Sequence, residues 1–141
     1  MEWILLALSE DQARSANSRG LRAVAINRDT LRTAYCEIPP RKLLDEVESG
    51  HWDLVIMSPE MLKSQAVHEK MKSIKFRDLL RFVGIDEFHL IHKHGDNFRP
   101  EYQAIGDFRA CLSASVHWIA ATATPPTGPS LIKESQRTTQ L

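Results

Sequence analysis

Cysteine, net charge and long apolar runs are what this sequence has least of, and each shortage narrows the reading. Its two cysteines, Cys36 and Cys111, stand far apart and in no metal-ligand spacing, so reduced thiols in an intracellular protein are expected rather than a disulfide. The 18 basic residues balance 18 acidic ones. Charge therefore gives no global argument for nucleic acid, and any such binding needs a local patch. No stretch approaches the roughly 20 apolar residues of a membrane span. The apolar start, Met1 to Leu8, has no basic n-region and no small-residue cleavage site, so it reads as a strand that enters part-way through a domain and not as a signal peptide. Internal repeats and low-complexity blocks are missing too. A length of 141 residues bounds the chain to one ordinary domain with a real core.

What is present is an alternation of apolar strands with helical segments. Trp3 to Leu8 is an unbroken apolar run. Ser9 can cap a helix that has acids in its first turn and Gly20 at its end. Leu21 to Ile26 is a second strand, followed by Asn27-Arg28-Asp29-Thr30 as a polar loop. Pro39-Pro40 opens a helix over Arg41 to Ser49, with Leu43, Leu44 and Val47 on one face and Gly50 as its stop. Trp52 to Met57 is a third strand. Met61 to Arg81 reads as two helices, or a helix and a loop. A fourth strand ends at Ile85, and a loop from Leu90 to Asn97 leads to a helix over Pro100 to Leu112, with Tyr102, Ile105, Phe108 and Leu112 facing the core. Val116 to Ala121 is the fifth strand. The pattern predicts an α/β domain of three layers around a mostly parallel sheet. The domain is expected over 1–125, followed by a loosely ordered tail over 126–141, rich in Pro, Thr, Ser and Gln.

The chemistry concentrates where Val83-Gly84-Ile85 breaks into Asp86, Glu87 and, after Phe88, His89. Acids at the carboxyl end of a parallel strand sit at the mouth of an α/β sheet, where ligands bind. One carboxylate there can hold magnesium through water, while its neighbour polarises the water that attacks a γ-phosphate. Adjacent residues of an extended chain point to opposite sides, so the two acids can do two jobs. Read alone, the pair is more readily a set of surface acids ending a strand, because Asp-Glu is a common dipeptide.

Four further segments change that balance. They are Leu8-Ser9-Glu10-Asp11-Gln12, Met57-Ser58-Pro59-Glu60-Met61-Leu62, Asn97-Phe98-Arg99-Pro100-Glu101-Tyr102 and Ala121-Thr122-Ala123-Thr124-Pro125. With Asp86-Glu87-Phe88-His89 they resemble, in order, motif Ia, motif Ib, the loop after motif II, motif III and motif II itself of superfamily 2 (DEAD/DEAH-box) helicases, the RecQ family most closely. The resemblance implies a RecA-like, P-loop NTPase type of domain and ATP-dependent DNA unwinding in repair and recombination, with ATP and Mg2+ as cofactors. It implies an intracellular place, the nucleus in a eukaryote, and DNA at a single-strand/duplex junction as partner. By it, Asp86 holds the metal, Glu87 is the catalytic base and His89 couples the nucleotide site to Thr122 and Thr124. Arg99, with His94 and Asn97 in the loop before it, senses DNA; Ser9, Gln12, Ser58 and Glu60 lie along the DNA track.

The sequence also departs from that family. It contains no Gly-x-x-x-x-Gly-Lys, the loop whose amides and lysine cradle phosphates. His94 and Asp96 stand where RecQ proteins carry tryptophan and then histidine, and Phe88 replaces a small alanine. The expectation is a partial helicase domain, inactive as an ATPase by itself. A non-catalytic remnant that binds nucleic acid or protein is the alternative. A third reading takes His89, His92 and His94 with the nearby acids as the site of a metal-dependent hydrolase, or else as a polar loop. Trp3, Trp52 and Trp118 read as packing residues beside strands. Lys70, Lys72, Lys75, Arg77 and Arg81 are either a phosphate-binding cluster or a solvated face.

Overall fold

The computed structural model describes residues 3–6, 10–86 and 100–121, and within them five strands form one all-parallel sheet. They are β1 (Trp3–Leu6), β2 (Ala23–Ile26), β3 (Leu54–Met57), β4 (Phe82–Ile85) and β5 (His117–Ala120), in the order β2-β3-β1-β4-β5. Each lies inside an apolar run that the sequence marks as a strand. Leu5 is level with Ile56 on one side and with Gly84 on the other. Parallel neighbours need crossover connections. These carry α1 (Glu10–Ser18), α2 (Arg28–Tyr35), α3 (Leu43–Glu48), α4 (Gln65–Met71), α5 (Ile74–Leu79) and α6 (Pro100–Cys111), with a short 3-10 helix at Pro59–Lys63.

Alternation along the strands sorts side chains onto two faces. On one face Ala23, Ala25, Leu54 and Ile56 meet Ala13 and Ala16 of α1; small residues on both partners let that helix sit close to the sheet. On the other, Val24, Ile26, Val55, Met57, Val83 and Ile85 meet the remaining helices. Those helices contribute Leu43 and Val47 from α3, Val67 and Met71 from α4, Phe76 from α5, and Ile105 and Phe108 from α6. Val55 and Val83 are completely buried, and each such side chain contributes about 1.5–3 kcal/mol.

Two helices stop in the same way. Gly20 and Gly50 take φ of +89° and +77°, a left-handed turn that favours glycine. The turns let Leu21 N–H reach the Ala16 carbonyl and His51 N–H reach that of Glu46, satisfying carbonyls the helices leave open.

Two expectations need correction, and a third is met. Asn27 to Thr30 is not a loop. The Asn27 side chain accepts from Thr30 N–H at 2.8 Å, and Thr30 Oγ1 accepts from Asn27 N–H at 3.0 Å, a capping box that starts α2. The helix expected from Arg41 begins at Leu43. Arg41 N–H is held by the Ala34 carbonyl at 2.9 Å, so this residue still belongs to the turn that follows the two prolines. Between Met61 and Arg81 the chain forms the end of the 3-10 helix and then two α-helices. Ser64 and Ser73 cap α4 and α5 through Val67 N–H and Phe76 N–H. The loop over 90–97 and the tail over 126–141 lie outside the described residues.

The tryptophans that are described pack as expected. Trp52 and Trp118 lie partly buried against the core, with Phe108 edge-on to Trp118 at 6.1 Å and the Arg41 and Arg109 guanidinium groups over the two rings. Lys70 does not join a phosphate-binding cluster: Asp45 and Glu48 each hold it at 2.7 Å. Its hydrogen bonds lower the pKa of both carboxylates.

Candidate nucleotide and nucleic-acid site

The carboxyl ends of β3, β1 and β4 lie side by side, and the register brings three of the sequence-derived site residues to that rim. Ser58 follows β3 directly and Asp86 follows β4 directly. Gln12 stands in the first turn of α1, the helix that follows β1. Asp86 and Gln12 are joined: Gln12 Nε2 donates to Asp86 Oδ2 at 3.0 Å, across 74 positions of sequence. Both residues are half-buried.

The start of α1 is tied down a second time. Asn27, at the end of β2, donates from Nδ2 to Glu10 Oε1 at 2.7 Å while its Oδ1 caps α2. One asparagine thus links the first turns of two helices to the same rim. Neither link is visible in sequence spacing; only the Asn-x-x-Thr pattern at 27–30 could have signalled the cap.

Ser58 is the N-cap of the 3-10 helix, and its hydroxyl makes no capping hydrogen bond, unlike Ser64 and Ser73. Its side chain is half-buried, and Glu60 beyond it is exposed. Ser9, Glu87, His89, His94, Asn97, Arg99, Thr122 and Thr124 lie outside the described residues, as does His92.

The donor set at the rim can be matched to an ion. Among the described residues no three His, Cys, Asp or Glu side chains gather as a metal site. A transition-metal cage is therefore not built from them. A strand-end carboxylate fits magnesium better, because this ion keeps several waters and takes one or two carboxylates together with substrate phosphates. No helix among the described residues is long and apolar enough to cross a membrane.

No protein-family model matches the chain. Individual relatives do. A Bacillus subtilis protein described as "Probable ATP-dependent DNA helicase RecS" is 36% identical over 125 residues, which are 87% of this chain and 23% of the relative. ATP-dependent DNA helicase Q5 of Rattus norvegicus is 30% identical over 124 residues, 86% of this chain and 12% of the relative. ATP-dependent DNA helicase RecQ of Pasteurella multocida is 27% identical over 130 residues, 92% of this chain and 19% of the relative. Among solved structures, the DUF1998 helicase MrfA, bound to DNA and AMPPNP, matches with a TM-score of 0.59 at 19% identity, over 94% of this chain and 19% of MrfA. That likeness shows the α/β fold. The chain spans less than a quarter of the length of each of these proteins. Its similarity to several of them along most of its own length places it in the RecQ family of ATP-dependent DNA helicases.

Proposed function

We propose that this chain carries the magnesium carboxylate and part of the DNA track of a RecQ-type helicase, on the three-layer sandwich of a RecA-like domain. The observation that carries the reading is the place of Asp86, at the carboxyl end of β4 and hydrogen-bonded to Gln12. The named activity of the relatives supports it. In this reading Asp86 holds Mg2+ through water, Glu87 takes the proton of the attacking water and His89 relays the state of the site to Thr122 and Thr124. Bound magnesium offsets charge that develops on the phosphates. Ser9, Gln12, Ser58 and Glu60 belong to the segments along the DNA track, and His94, Asn97 and Arg99 report its presence.

The 141 residues hold no Gly-x-x-x-x-Gly-Lys. This chain alone therefore lacks the amide cradle and lysine that supply most of the binding energy for a nucleotide, and it is not expected to turn over ATP unaided. The same lack favours a second reading, a non-catalytic module that binds nucleic acid.

Fluorescence anisotropy with single-stranded DNA tests the proposal, together with ATP hydrolysis measured on the same preparation. The expected result is affinity that weakens as salt rises, with hydrolysis no faster than in Asp86→Ala. Binding indifferent to Mg-ATP would favour the non-catalytic module. A folded chain without DNA affinity at low salt would sink both.

A further inference from the structure

The Gln12 carboxamide is used at one end only. Nε2 donates to Asp86 Oδ2, but Oε1 is buried and accepts from no group among the described residues. Turning the amide over does not help, because it would set an oxygen against the carboxylate and leave the donor idle. Buried polar atoms in folded proteins are nearly always paired, and an exception points to an ion or water that completes the site. Oε1 is closed to bulk solvent, and a water held within the site is a donor that fits it.

We propose that Gln12 is the positioning residue of the Asp86 metal site. Nε2 fixes the carboxylate, and Oε1 accepts a hydrogen bond from a water carried by the magnesium. The inference rests on the reading of Asp86 as the metal carboxylate. It extends that reading, because Gln12 belongs to the segment read as lining the DNA track. The first turn of α1 is braced against the end of β2 by the Asn27–Glu10 hydrogen bond. A shift of that turn on DNA contact therefore moves the group that orients Asp86. Ligand-orienting partners of this kind typically change metal affinity by about 10–100-fold when removed.

The test is Mn2+ titration of the purified chain, following the free ion by its paramagnetic resonance, with circular dichroism as a control for folding. Asp86→Asn is expected to abolish binding, and Gln12→Met to weaken it about tenfold or more. Gln12→Asn keeps the amide but is too short to span the gap; it is expected to lose as much, and serves if Gln12→Met does not fold. A folded Gln12 variant with wild-type affinity, while Asp86→Asn still binds nothing, overturns the role of Gln12 and leaves Asp86 standing. Mn2+ binding that is absent from the wild type, or untouched by Asp86→Asn, overturns both.

Discussion

At its β2 edge the sheet is covered in part by a side chain, and at its β5 edge no such cover is present among the described residues. β2 is buried along most of its length, and Asn17 from α1 completes its outer rim: Nδ2 donates to the Ala23 carbonyl at 2.9 Å and Oδ1 accepts from Ala23 N–H at 2.8 Å. One side-chain amide there pairs both backbone groups of Ala23 as a neighbouring strand would. β5 has no outer strand among the described residues. Its side chains are mostly exposed, Ile119 at 46%, and such an edge is a template for pairing. Of the residues proposed for the nucleotide site, Asp86 follows β4, and Thr122 and Thr124 follow β5 in sequence.

The sharpest way to break this comparison is one substitution made on both halves. Ile56→Ala in β3 removes a side chain that is 1% exposed and is expected to cost about 2–5 kcal/mol. Ile119→Ala in β5 is expected to cost about 0.5 kcal/mol. Urea denaturation measures both, and equal losses would show that β5 is covered after all. A smaller effect belongs to Asn17→Ala. Losing two hydrogen bonds at a partly solvated edge is expected to cost about 1–2 kcal/mol and to speed amide exchange at Ala23 without changing it at Val83.

The smallest effect concerns Asp53, beside the amino end of β3. Arg22 lowers its pKa to about 2, chiefly through the guanidinium hydrogen bond and then through Arg22 N–H. A carboxylate depressed in the folded state stabilises fully above its unfolded pKa of about 4, and that stabilisation is lost as pH falls through about 2. The pair is open to solvent, with 56% and 36% of the side chains exposed, so it is worth under about 1 kcal/mol. Asp53→Asn is expected to lower stability by that amount at neutral pH and to flatten the acid limb below pH ~4. An unchanged acid limb would assign that pH dependence to other carboxylates.

Strands were legible in the sequence because each is a short apolar run bounded by polar residues, a one-dimensional signal. The start of α2 was not, since Asn27 and Thr30 fit a loop as well as a capping box until both reciprocal hydrogen bonds are seen. The place of Asp86 at a strand end was legible because the apolar run stops just before it. Its bond to Gln12 was not, because only the sheet order brings the end of β4 beside the helix after β1. The partners of Lys70 were not legible either: a run of basic residues in sequence does not show the two acids of α3 that pair with one of them.

The most direct test of the central claim is magnesium-dependent ATP binding by the folded chain, with Asp86→Ala alongside. The account predicts weak binding that requires Mg2+ and is lost in the variant. A folded chain that binds no ATP, or binds it equally well without Asp86, would contradict it.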